Sequence, residues 1–421
     1  MAGPGSSTCW SATRFPGSAE GQGPIAYQLH PWDREWFKRC RRAWDLGSRR
    51  RQNLEPLTTP WSLRLDLDRA LRDALAVYYF PGMWEWNRNV VLPLAFQAFT
   101  KAMAAQREKH EATAPLTAEE REDWERQLAY GKELLEQYIT WAPTVDRFWP
   151  VRVETDFYAQ IPDFRNPGHD LVSPDGQPIH YQGRVDMLVV DEHDAYWIVR
   201  HRLAPEGFAD LDLLFLDDEL VAACWAWELF YLGMRIAGTI HNEFRLGGAP
   251  PDPAEPVRRP RAAHAWARAR ASQRAAGPSE AGGPGPATVP VPGHRRMYAR
   301  AAREPEEVVI EEGGGMFRRT RIPRRRAELD ALAERLALEA LDMTDPGLVL
   351  YPTPSVEHCS VCQYRAPCLA MNEAGDVDAV LAAGYRVRPP EVPEEGRLGG
   401  VTWSMNRGAA PPRQWVPRKR T

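Results

Sequence analysis

An α/β domain with a small central mixed sheet flanked by helices, joined to a helical subdomain, is the fold this sequence predicts. Three observations carry it. Apolar residues recur at helical spacing from about residue 31 to residue 141. Three β-rich runs then follow one another between residues 151 and 203. After them, helical and strand patterns alternate.

Taken in order, "PWDREWFKRCRRAWDLG" opens the foldable chain as one helix. Trp32, Trp36, Phe37, Cys40 and Trp44 share a face, and Gly47 stops it. Helices follow at about 63–80, 84–109 and 118–141. The last begins with "TAEE", in which Thr117 and Glu120 form a capping box. The runs "VRVETDFYAQI", "HYQGRVDMLVVD" and "AYWIVRHRL" read as three strands. A long helix at about 212–232 comes next, then the strand "RIAGTIHNEFRL", and later the amphipathic helix "RRRAELDALAERLALEALDM". No internal repeat is visible.

These patterns place one domain over 26–246 and 316–390. Its helical subdomain covers about 31–145, its sheet core about 150–246, and its C-terminal helix and cysteines 326–370. Residues 1–25 read as a disordered tail, 247–315 as a disordered insertion rich in Pro, Gly, Ala and Arg, and 391–421 as a Pro/Arg-rich tail, disordered from about 400. That organisation leaves a single core of roughly 250–300 residues, near the usual upper limit.

The chain has a net charge of −4, so no global basicity advertises nucleic acid. The charge is uneven, however: residues 257–326 hold 16 Arg and 6 Glu, and residues 397–421 hold six Lys or Arg and no acid. Such runs are usually solvated, with nucleic-acid contact the minority case. No apolar run is long enough for a membrane span, and no basic-then-apolar leader is seen. A cytoplasmic protein with reduced thiols and no membrane contact is the expectation, and clustered thiols there are more often metal ligands than disulfides.

Three of the six cysteines fall in "HCSVCQYRAPC": Cys359, Cys362 and Cys368, spaced C-x2-C-x5-C. A tight turn lets the first two face one centre, and the longer gap lets the third return. Thiolates suit zinc and iron–sulfur clusters alike. Candidates for a fourth ligand are Cys40, His358, Cys9 and Cys224. Cys9 lies in the N-terminal tail, and Cys224 reads as a small buried hydrophobe. Three unligated cysteines, a zinc site completed by Cys40 or His358, and an iron–sulfur cluster all stay open on spacing alone.

The segments "WFKRCRRAWDLG" and "CSVCQYRAPC", with the strand block between them, resemble the RecB-like branch of the PD-(D/E)xK nuclease superfamily. The likeness is to its iron–sulfur members: the CRISPR-associated four-cysteine exonucleases, related phage exonucleases and the AddB nuclease domain. It covers about 30–245 and 316–385. The resemblance implies a restriction-endonuclease-like core and a 4Fe–4S cluster held by Cys40, Cys359, Cys362 and Cys368, stapling the N- and C-terminal parts. It also implies cleavage of phosphodiesters with Mg²⁺ or Mn²⁺ bound by carboxylates.

On "GRVDMLVVDEHDAYWIVRHRL" the family's first carboxylate falls on Asp186, and its (D/E)xK positions fall on Arg200, His201 and Arg202. A guanidinium at the second carboxylate position keeps its proton and repels the cation that belongs there. Arg202 in place of lysine keeps a charge able to hold phosphate. The early-helix histidine position carries Arg72, and the Gln and Tyr positions carry Glu219 and Ala223. Glu154 is an accessory carboxylate, and Asp217, Asp218 and Glu219 are either relocated ligands or acids complementing a helix dipole. The sixteen tryptophans could stack on single-stranded bases, but Trp32, Trp36, Trp225 and Trp227 sit on apolar helical faces and read as core. The expectation is a degenerate nuclease that binds DNA, single-stranded DNA among its forms. An active exonuclease with relocated ligands and a non-catalytic scaffold for a protein partner are the alternatives.

Overall fold

The computed structural model describes residues 27–58, 63–84, 86–205, 207–231, 233–246 and 308–389. Among these residues the coarse prediction holds: a mixed sheet lies between two layers of helices. It is larger than expected, with seven strands. The expected tails and most of the expected insertion lie outside the described residues.

The centre of the sheet is an antiparallel meander of β3 (Phe148–Gln160), β4 (Ile179–Asp191) and β5 (Tyr196–Ala204). Next to β5 runs β6 (Ile236–Arg245), parallel to it, as a helical crossover requires. The crossover differs from the single helix expected over about 212–232. It is two, α6 (Leu211–Phe215) and α7 (Asp218–Phe230), because Asp217 leaves the helical path and caps α7 with its side chain on the Leu220 N–H.

Beyond β6 the sheet continues through β8 (Phe317–Pro323) to β7 (Val309–Gly313), both pairings antiparallel. This hairpin corrects the reading of 247–315 as disordered throughout. Its residues are strand formers, but Arg318, Arg319 and Arg321 interrupt the apolar pattern and hide it. The short β1 (Tyr27–Leu29) pairs parallel to the start of β4.

Alternation decides what covers each face. On β5, Trp197 and Val199 point to the layer formed by α3 (Leu63–Tyr78), α4 (Arg88–Glu111) and α5 (Ala118–Val145). Ile198, between them, points to the other layer, where Trp225 and Trp227 of α7 meet Leu332 and Leu336 of α8 (Arg326–Thr344). The Thr117–Glu120 capping box at the start of α5 is present as expected.

The helical layer is also tied to the sheet by a buried polar network. Arg319 of β8 pairs with Asp146 and donates to the hydroxyls of Tyr79 and Tyr138. Asn242 of β6 donates to Tyr138 and lies 2.8 Å from His201 Nδ1. Burial, with Arg319 and Arg72 adding to it, pushes His201 down to about 3, so its ring is neutral.

The N-terminal helix divides in two. α1 (Pro31–Arg39) and α2 (Arg41–Gly47) meet at Cys40, whose backbone is extended at φ −161°, ψ 111°. The expected stop at Gly47 is observed. The buried residues include Asp33 and Arg34, which the aromatic pattern had not singled out. After α8, the short helices α9 (Val356–Ser360), α10 (Arg365–Asn372) and α11 (Val377–Gly384) lead into β9 (Tyr385–Val387). β9 then pairs with β2 (Leu54–Pro56), close to the chain's other end. No helix among the described residues is long and apolar enough to cross a membrane.

Candidate functional site

The positions singled out on α3, β3, β4, β5 and α7 come together at one end of the meander. Asp186 is buried on β4, and its Oδ2 accepts the His201 backbone N–H at 2.7 Å. Its Oδ1 lies 4.0 Å from Arg72 Nη1, and the other terminal nitrogen of Arg72 pairs with Asp68 at 2.8 Å. Asp68 also accepts from the Leu203 N–H, which ties α3 to the end of β5. Arg72 is one helical turn beyond Asp68, so this acid was visible in the sequence only as an i, i+4 partner.

Arg200 points to the start of α7 and makes a two-pronged pair with Glu219, with N–O distances of 2.8 and 2.5 Å. Its planar fork is thereby satisfied by one carboxylate. The remaining acids at the start of α7 are also engaged. Asp217 is the N-cap, and Asp218 meets Lys38 at 2.9 Å and Arg34 at 3.4 Å. Arg202 stands apart: 41% of its side chain is exposed, and its nearest carboxylate partner, Glu243, is 4.0 Å away. Ala223 is buried in the α7 core and takes no part.

Glu154 lies in β3 between Val153 and Thr155, which pair with Met187 and Val185 across from it, so it stands opposite Asp186. Its φ of +42° is a left-handed conformation that a glutamate adopts only under constraint. Arg184 comes within 3.7 Å of it. Burial pushes the Glu154 carboxyl up to about 8, with Asp186 adding to the rise and Arg184 opposing it. Asp186 is likewise raised by burial, against the pull of Arg72 and Arg200. Asp73, a neighbour the motif reading missed, is raised by burial too. Burial would lower Arg200, but Glu219 outweighs it and the net direction is up. The site therefore sets its acids against guanidinium groups, with the Glu154, Asp186 and Asp73 carboxyls all shifted upward.

The cysteines form a second constellation. Cys40 sits at the joint of α1 and α2, Cys359 on α9, Cys362 in the turn after it, and Cys368 on α10. Burial raises the Cys362 thiol, and Cys40, Cys359 and Cys368 each add to that rise, so all three lie within electrostatic reach of it. Arg42 Nη1 is 3.4 Å from Cys368 Sγ, and the Ser355 N–H is 3.5 Å from Cys359 Sγ. Among the described residues, no group of three or more His, Cys, Asp or Glu is placed to hold a metal ion. Cys224 is fully buried on α7, as a small hydrophobe would be, and Cys9 is outside the described residues.

No protein-family model matches this chain, and no curated protein matches it.

Proposed function

We propose that this chain is a degenerate RecB-like nuclease that binds DNA without cutting it and carries a 4Fe–4S cluster on Cys40, Cys359, Cys362 and Cys368. The observation that carries the reading is the pair of guanidinium groups around Asp186. Arg72 is 4.0 Å from that carboxylate, and Arg200, at the position of a second metal-binding carboxylate, is locked to Glu219.

Magnitudes favour this over a metal-dependent cutter. Two like unit charges at 4 Å repel by about 4 kcal/mol at an effective dielectric of 20, and a divalent ion roughly doubles that. A cation placed about as far from Arg72 as Asp186 is would face a cost of this order from that guanidinium. Glu219 offers no escape as a relocated ligand, because Arg200 occupies both of its oxygens. The coarse architecture is compatible with it: three antiparallel strands, a helical crossover and a parallel fourth strand make a mixed sheet flanked by helices.

For the cluster, the support is the donor set. Cys40, Cys359 and Cys368 lie within electrostatic reach of Cys362, and four thiolates are the donor set that a 4Fe–4S cluster takes. The cluster would supply a covalent link between α1–α2 and α9–α10.

The phosphate contact is assigned to Arg202 rather than Arg200, because Arg202 is exposed and not held in a two-pronged pair. Fluorescence anisotropy of single- and double-stranded DNA across a salt series tests the binding. Log affinity should fall linearly with log salt, because phosphate contacts release counterions. Arg202→Ala should weaken binding and lower the slope by about 1. No binding at low salt would favour a protein scaffold instead.

A further inference from the structure

The side of the cysteine constellation facing α2 is not electrically neutral. Arg42 Nη1 is shared among three acceptors: Asn372 Oδ1 at 2.7 Å, Cys368 O at 3.4 Å and Cys368 Sγ at 3.4 Å. The Arg42 backbone N–H is bonded to Tyr351 O, so α2 is anchored on this side as well. The strong bond to Asn372, one helical turn beyond Cys368 on α10, aims the guanidinium at the sulfur. Cys359 Sγ receives a neutral backbone N–H instead, at 3.5 Å from Ser355. The two sulfurs thus receive donors of different charge, and Arg42 reaches its target across 326 residues of sequence.

We infer that Arg42 is a tuning residue for the cysteine-bound cluster: its guanidinium donates to the Cys368 sulfur and stabilises the more negative, reduced state. The inference rests on the iron–sulfur reading above. Its physical basis is general. Adding one electron adds one negative charge to an already anionic thiolate-bound group, and a nearby fixed cation lowers the cost of that charge. Hydrogen bonds to the sulfurs and local charge are among the main determinants of such potentials. A purely structural role would tie α2 to α10 equally well but would leave the potential unmoved.

The test is an anaerobic redox titration of the full chain with dithionite, followed by visible and electron paramagnetic resonance spectra, with iron and sulfide counted in each sample. Arg42→Gln should retain iron and shift the midpoint to lower potential, by about tenfold in the one-electron equilibrium, or about 59 mV. Arg42→Lys keeps the charge and should lie closer to wild type. Asn372→Ala leaves the charge but releases its aim, and should shift the midpoint in the same direction by less. If Arg42→Gln loses its iron, the Asn372→Ala titration decides. An unchanged midpoint in whichever of these two variants retains iron, loss of iron from both, or a wild-type cluster that dithionite does not reduce overturns the tuning role of Arg42 and leaves the cluster standing. A wild-type protein without iron and sulfide overturns the cluster reading itself, and the role of Arg42 with it.

Discussion

Glu154 concentrates the physics of the site in one residue. It holds a strained backbone, faces Asp186 across the strand pair, and keeps its proton to about 8 because burial and Asp186 disfavour its charge. The folded value lies above the ordinary carboxylate value of 4.5. Its contribution to stability is therefore complete below that ordinary value and is lost as pH rises through the folded one. Thermal melts of wild type should accordingly lose stability between about pH 5 and 8 relative to Glu154→Gln, which cannot ionise. Parallel melting curves across that window would remove Glu154 as a proton-holding group. His201 acts in the opposite sense: its folded value is depressed, so its contribution is present above neutral pH and is lost on acidification towards about 3.

At the scale of elements, helix packing is tight where α3, α4 and α5 meet. A Cβ on Gly131 would come within 2.2 Å of Phe99 Cζ and 2.7 Å of a Leu67 methyl. Both neighbours are fully buried. Gly131→Ala gains about 1 kcal/mol of helix propensity but should destabilise the protein overall, because overpacking a closed core costs typically about 1–3 kcal/mol. Chemical denaturation measures the net sign, and a more stable variant would show that Phe99 moves aside freely.

The same scale explains what the sequence revealed. The meander was legible because its strands are β-branched and aromatic, and α5 because its capping box is explicit. The β7–β8 hairpin was hidden by arginines whose burial depends on partners far away, such as Asp146 for Arg319 and Glu243 for Arg318. The break at Cys40 was hidden because its flanks keep helical periodicity. Within the candidate site, Asp186, Arg72, Arg200 and Glu219 were named only by what the family resemblance implies. Their pairing with one another, and the parts played by Asp68, Asp73 and Arg184, exist only once α3 lies against the sheet.

For the whole molecule, the N- and C-terminal parts of the described residues come together twice, once through β2 and β9 and once around Cys40 and Cys368. If the proposed cluster is present, Cys40→Ser should lose iron and absorbance near roughly 400 nm and melt at a lower temperature, whereas Cys224→Ser should do neither. A colourless wild-type protein with one zinc after anaerobic purification would replace the cluster by a zinc site. The larger question is whether a chain proposed to be a degenerate nuclease cuts DNA at all. The central claim is that Arg72 and Arg200 exclude the catalytic cation from Asp186. Its most direct test is to incubate single- and double-stranded DNA with wild type and with Asp186→Ala, each in Mg²⁺ and in Mn²⁺. The expected result is background cleavage by both proteins in both metals. Robust metal-dependent cleavage by wild type that disappears in Asp186→Ala would contradict the claim.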